Sequence, residues 1–168
     1  MRRLLLLIGF IFLIIFLIFV EKSNAMTKTQ QFFTDLSSDT MHLVEDYYAE
    51  DIEFHDPMVS ITGVENMRNY YEGVYAGPEE VSFEYLSEIQ VEQELVLIWR
   101  MTFVNDKFNK GRPVVVDGSS HIKFNDEGKA YYHRDYFDMG EMVYKYVPVL
   151  RSMIKMVNKR IAKSHAKH

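Results

Sequence analysis

There is no cysteine among the 168 residues, so disulfides, thiol nucleophiles and zinc–thiolate sites are excluded, and no compartment is selected. Internal repeats and low-complexity linkers are also lacking. Acid is missing from the end of the chain. After Glu141 there is no Asp or Glu, while Lys145, Arg151, Lys155, Lys159, Arg160, Lys163 and Lys167 follow. All 24 acidic residues lie between Glu21 and Glu141, so a net charge of −5 conceals an acidic body and a basic tail. An acidic body argues against nucleic acid as the main partner. The histidines do not fall at metal-ligand spacing, and His165 and His168 belong to the tail, so no metal site is expected. No cofactor is expected either.

What is present bounds the architecture. With 48% hydrophobic and 14% aromatic residues, the chain can bury one good core, and one domain is expected. The start, Met1-Arg-Arg, precedes an unbroken apolar run over 4–20 and then Glu-Lys-Ser-Asn-Ala. Having no polar face, this run is not a core helix. It fits a secretory signal cut after Ala25, and equally an uncleaved membrane anchor near the lower limit of spanning length. In both cases the positive-inside rule puts the globular part outside the cytoplasm. If Met26 is the true start, the protein is cytoplasmic.

From 27 to 49 the pattern reads as two helical segments around Asp35-Leu-Ser-Ser-Asp39. Asp39 is the expected N-cap of a helix with Met41, Val44, Tyr47 and Tyr48 on one stripe. A short strand over 52–55 ends at Asp56-Pro57, and proline pushes Asp56 into an extended conformation at the strand end. Gly63 opens a third helix. After Gly77-Pro78 the period switches to two, with Val81, Phe83, Tyr85, Ile89 and Val91 alternating with polar residues. The stretch 95–104, apolar on both faces, predicts a central strand. Helices followed by an antiparallel meander mean α+β. Three segments result: 1–25 as signal or anchor, 27–140 as the folded domain, and 141–168 as a basic amphipathic helix and tail. In that helix, expected over 148–162, Leu150, Met153, Ile154, Val157 and Ile161 form one stripe and Arg151, Lys155 and Lys159 another. The expectation is an apolar stripe packed on the body. The alternative is a helix lying on an anionic membrane surface.

The most informative stretch runs from Asp117 to Asp138. Two aromatic and β-branched runs flank Asn125-Asp-Glu-Gly128, a hairpin turn. If Asp126 and Glu127 form a two-residue loop, Phe124 opposes Lys129, Ile122 opposes Tyr131, Ser120 opposes His133 and Gly118 opposes Asp135. Alternation then puts Val116, Gly118, Ser120, Ile122, Phe124, Tyr131, His133, Asp135 and Phe137 on one face. Asp117, Ser119, His121, Lys123, Tyr132, Arg134 and Tyr136 lie on the other. An imidazole and a carboxylate beside a hydroxyl on an apolar face read as a pocket wall. They also read as a satisfied polar pair at a core rim, and Asp117 with Arg134 as a solvated cross-strand ion pair.

The element order and three motifs resemble the SnoaL-like, or nuclear transport factor 2-like (NTF2-like), superfamily, which includes ketosteroid isomerases, limonene epoxide hydrolases and polyketide cyclases. The motifs are Tyr47-Tyr-Ala-Glu-Asp-Ile-Glu-Phe-His-Asp-Pro57, Gly63 at its helix start, and His121-Ile-Lys-Phe-Asn-Asp-Glu-Gly-Lys with His133-Arg-Asp-Tyr-Phe-Asp138. The resemblance covers about 27 to 138 and implies a cone-shaped α+β barrel, its N-terminal helices packed on a curved antiparallel sheet. It places Asp56 where ketosteroid isomerases keep their general base. The positions of their two oxyanion donors hold Gln31-Phe32-Phe33 and Ser120. By likeness to the cyclases, His133 and Asp135 would supply acid and base. Asp56, Arg134 and Asp135 offer the residue types of the epoxide hydrolases, with Arg134 on the wrong face.

The expected activity is cofactor-independent acid/base chemistry, of isomerase, cyclase or hydrolase type, on a small hydrophobic molecule. Asp56 would be the base, His133 the acid or base, Asp135 its orienter and Ser120 a hydrogen-bond donor. Phe83, Trp99, Met101 and Phe137 would line the pocket. The alternative is a non-catalytic ligand-binding or homodimerisation module, membrane-associated through 4–20 and the basic C-terminal helix.

Overall fold

A computed structural model describes residues 26–78 and 80–165. The signal or anchor segment and His168 lie outside the described residues. By backbone contacts the chain divides into two units, residues 1–33 and 34–168. Helix α1 (Lys28–Asp35) starts behind Thr27, whose hydroxyl accepts the Gln30 amide at 3.3 Å.

The larger unit contains α2 (Leu43–Tyr47), β1 (Tyr48–His55), β2 (Ser60–Thr62), α3 (Val64–Tyr75), β3 (Glu80–Val91), β4 (Glu94–Val104), β5 (Val114–Phe124), β6 (Ala130–Phe137), α4 (Met139–Met142) and α5 (Pro148–His165). The six strands form one sheet in the order β2-β1-β6-β5-β4-β3. From β3 to β6 it is the expected antiparallel meander. It is mixed rather than antiparallel, because β1 runs parallel to β6 with Phe54 beside His133 and His55 beside Arg134. A period of two shows that a strand has two faces and carries nothing about its neighbour's direction.

Several local expectations are corrected. Asp39 does not cap a helix: α2 starts three residues beyond Thr40, behind His42, with no side-chain cap. The Thr40 hydroxyl closes the preceding turn instead, donating to the Asp35 carbonyl at 2.6 Å and accepting the Ser37 amide at 2.8 Å. Met41, Val44, Tyr47 and Tyr48 are all buried, although Tyr48 begins β1, which is twice the expected length. Gly63 does open α3, at φ +89°.

The hairpin loop is also longer than two residues. The Asn125 carboxamide oxygen accepts the amides of Glu127 and Lys129 at 3.1 and 2.9 Å, and Gly128 takes φ +74°. The register therefore slides by two: Gly118 opposes Phe137, Ser120 opposes Asp135 and Ile122 opposes His133. A two-residue slip preserves the faces. Tyr131 is the exception, because the register irregularity beyond Lys123 skips it and leaves it exposed. Asp117 is paired with Arg100 on β4, at 2.7 and 3.0 Å, while Arg134 lies over the Tyr136 ring.

Helix α5 begins at Pro148 as expected, but its apolar stripe is not packed on the body. Val149, Met153, Met156, Val157 and Ile161 are each at least half exposed, while Leu150 and Ile154 are partly covered. Periodicity shows that a helix has a stripe and not what covers it. Among the described residues no helix is long and apolar enough to cross a membrane.

Candidate active site

The inner face of the sheet carries one connected hydrogen-bond network. Ser120 (β5) and Asp135 (β6) are register partners, and His133 lies two residues before Asp135 on the same face. The Trp99 indole N–H (β4) donates to Ser120 Oγ at 2.9 Å. Since an indole only donates, the Ser120 hydroxyl is free to donate onward, and it reaches Asp135 Oδ1 at 2.6 Å. His133 Nε2 lies 2.9 Å from that same oxygen. On its other side, His133 Nδ1 is 2.8 Å from the Tyr48 hydroxyl, which is 3.0 Å from the Tyr71 hydroxyl.

Donor and acceptor types assign the protons. With a neutral imidazole, Nε2–H faces Asp135, Tyr48 donates to Nδ1, and Tyr71 donates to Tyr48. With imidazolium, Nδ1–H donates to Tyr48 and Tyr48 to Tyr71. The sense of two hydrogen bonds reverses with no heavy atom moved. Burial pushes both phenols well above their usual range, and the Asp135 charge adds to this, so both remain protonated donors.

Exposure separates the members. His133 and Ser120 are buried, His133 with both ring nitrogens bonded, whereas the Asp135 side chain is 20% exposed. Both protein hydrogen bonds of Asp135 fall on Oδ1. Among the described residues no donor meets Oδ2, and it is not fully buried.

Asp56 leaves β1 one residue past His55, whose register partner is Arg134, and so stands at the level of Asp135. Its Oδ1 accepts the amides of Met58 and Val59, both at 2.6 Å, and Oδ2 accepts the Tyr70 hydroxyl at 2.8 Å. Asp56 thus anchors the turn into β2. Burial and this carboxylate push the Tyr70 phenol far up, and the Asp135 charge contributes further.

The expected wall residues share the face. Trp99 is buried edge-to-face with Phe83, centroids 5.8 Å apart, and tilted against Phe137 at 6.3 Å. Met101 is the register partner of Phe83. Phe83, Met101 and Phe137 are half-buried. Gly118 makes room for the indole: a Cβ there would lie 2.3 Å from the Trp99 ring. Tyr48, Tyr70 and Tyr71 escaped the sequence reading. Their signal was the pair of Tyr-Tyr doublets, 47–48 and 70–71, in helical stretches with apolar stripes. Arg134 and His121 belong to the opposite face, where His121 Nε2 meets Glu94 at 3.0 Å. Among the described residues no three His, Asp or Glu side chains gather as metal ligands would.

These features find relatives. The SnoaL-like domain family model matches residues 29–133, more than half of the chain. No curated protein matches. Among solved structures, an NTF2-like protein of unknown function from Burkholderia pseudomallei K96243 is 17% identical with TM-score 0.57, covering 73% of this chain and 99% of that one. A proposed polyketide cyclase from Acidithiobacillus ferrooxidans is 13% identical with TM-score 0.58, covering 73% and 96%. A proposed isomerase of the SnoaL-like family from Agrobacterium tumefaciens C58 is 18% identical with TM-score 0.50, covering 62% and 85%. At these identities the structures establish the fold, and the matched model establishes the family: the chain is a member of the SnoaL-like domain family, built on the α+β NTF2-like fold.

Proposed function

We propose that the protein carries out cofactor-independent proton transfer on a small hydrophobic molecule held against the inner face of the sheet. One observation carries this reading: Asp135 takes two buried donors on Oδ1, while among the described residues no donor meets Oδ2 and the side chain keeps 20% exposure. The base assigned here is Asp135 rather than Asp56, because both oxygens of Asp56 are taken, Oδ1 by the turn amides of Met58 and Val59 and Oδ2 by the Tyr70 hydroxyl of α3. His133, enclosed and doubly bonded, positions Asp135 and ties it to the Tyr48–Tyr71 pair. Ser120 has committed its proton to Asp135 and Tyr70 its proton to Asp56, so a donor to developing charge on a substrate requires one of these hydroxyls to turn from its carboxylate. An aspartate that lifts a proton from carbon and returns it elsewhere on the same molecule needs no other reagent.

The test is deuterium exchange at carbon. Small hydrophobic ketones are incubated in D2O with the full chain and with Asp135→Asn. Wild-type protein should exchange α-hydrogens of at least one ketone about 10²-fold or more faster than the variant. Equal rates across the panel refute the role of Asp135. A second reading is a non-catalytic binding module, favoured by the absence of any uncommitted donor on Ser120. It expects ligands to bind wild type and Asp135→Asn alike, with no exchange.

A further inference from the structure

A second concavity lies apart from this network. It opens between the β4–β5 loop and the segment joining α4 to α5, and is about 820 Å³ in volume. Its rim holds five cations: Lys107, Lys110 and Arg112 from the loop, Lys145 and Arg151 from the C-terminal side. No carboxylate lines it, and none of the five forms an ion pair among the described residues. Asp106, in the same loop, turns its carboxylate toward Gly111 instead. This is notable in a chain with 24 acids to 19 Lys and Arg. Phe108 and Tyr146 meet edge-to-face at 5.3 Å between the two groups of cations. The loop is fixed in place: Asn109 donates to the Arg112 and Pro113 carbonyls at 3.1 and 3.3 Å. Asn109 and Lys110 hold positive φ without being glycine, a conformation asparagine tolerates and lysine adopts rarely.

We infer that this cleft binds a phosphate ester, its phosphates among the five cations and its apolar part against Phe108 and Tyr146. Uncompensated like charges held around one cavity repel each other until an anion enters. Fork-shaped guanidiniums at Arg112 and Arg151 suit tetrahedral oxyanions, while the three lysines add point charge. The volume exceeds that of a single phosphate, which is why the aromatic pair belongs to the site. Phosphate of this kind can be presented by a free ester or by an anionic lipid headgroup.

The experiment uses the full chain, the cleft variant Lys110→Glu/Arg151→Glu, and a control with the same charge change on α5 outside the cleft, Lys155→Glu/Lys159→Glu. All four positions are exposed, and equal melting temperatures verify intact folding. Inorganic pyrophosphate is titrated by calorimetry. Sedimentation with phosphatidylcholine vesicles, with and without phosphatidylglycerol, is compared so that any contribution of 4–20 is common to every protein. Pyrophosphate affinity falling by about tenfold or more in the cleft variant alone supports a free phosphate ester. Binding that appears only with phosphatidylglycerol, and is lost in the cleft variant alone, supports a headgroup. No binding to either probe overturns the inference, as does equal weakening in the cleft and control variants.

Discussion

Replacing Gly118 by alanine probes the linkage between backbone, wall and network in one step. The added Cβ would sit 2.3, 2.5 and 2.7 Å from three atoms of the Trp99 ring, well inside carbon–carbon contact. The indole must move by more than an ångström, and its N–H then loses the 2.9 Å bond to Ser120. Overpacking of this kind costs about 1–3 kcal/mol and the lost hydrogen bond about 1 kcal/mol more. A total of about 2–4 kcal/mol lowers the melting temperature by roughly 6–12 °C in a chain of this size. The chain has a single tryptophan, so its fluorescence reports the displacement directly. Emission should shift to the red as the buried indole moves toward water. Gly128→Ala is the control, since a Cβ there meets nothing within 4 Å and only the φ of +74° is strained. It should cost about 1 kcal/mol and leave the emission unchanged. In a Trp99→Phe background, Gly118→Ala should be clearly milder, the signature of two groups in contact. Wild-type emission and melting in Gly118→Ala would refute this account of the wall.

Other outcomes follow from the same network. Tyr48→Phe removes the hydroxyl between Tyr71 and His133 and strands a buried imidazole nitrogen, at a cost of about 1–3 kcal/mol in urea unfolding. An unchanged midpoint and slope would show that water or repacking satisfies His133. Stability should also fall in alkali. Folding raises the Tyr48 and Tyr71 pKa values, so their contribution is complete below the unfolded value near 10 and is lost as pH rises above it. At pH 11 the two together cost about 3 kcal/mol, with further loss from Tyr75, which burial pushes up to about 12. Unfolding free energies that stay level between pH 9 and 11 would contradict the burial of these phenols. Asp56→Asn should act on structure more than chemistry: Asn keeps the turn oxygen for Met58 and Val59 but takes the charged acceptor from Tyr70, so the unfolding free energy falls by about 1–2 kcal/mol and ketone exchange persists. Exchange abolished in that variant would return the role of base to Asp56.

How much of this was legible depends on which physical rule each feature obeys. Strand alternation is a parity, and parity survives a two-residue error. The hairpin loop was read too short, because the Asn125 side chain organises a longer turn than Asn-Asp-Glu-Gly suggests. His133, Asp135, Ser120, Gly118 and Phe137 nonetheless stayed on one face, and only the bulge at Tyr131 broke the pattern. Pairings across strands depend on register itself, so Asp117 was matched to Arg134 and found Arg100 instead. The parallel neighbour of β6 was illegible for a different reason. β1 and β6 are separated by some eighty residues, and nothing within either strand encodes the other.

The same distinction bears on the chemistry. A His two residues before an Asp on an apolar face suggested a catalytic imidazole with a carboxylate behind it, and the carboxylate of Asp-Pro a base. Which member of a pair faces substrate is not a property of the pair. It depends on what fills the space behind, here Tyr48 from the start of β1 and Tyr71 from α3, brought by tertiary packing. The Tyr48 hydroxyl, itself bonded to Tyr71, takes Nδ1 of the imidazole, so among the described residues the group left with an unoccupied oxygen is Asp135. For Asp56, by contrast, the residue type that made it look reactive also makes it a good turn anchor. A carboxylate two residues before open amides is captured by them whenever the chain turns there. Reading such a site from sequence therefore requires asking of each candidate what else nearby could use its lone pairs. At Asp135 Oδ2 nothing among the described residues does, and the proposed proton transfer is assigned there for that reason.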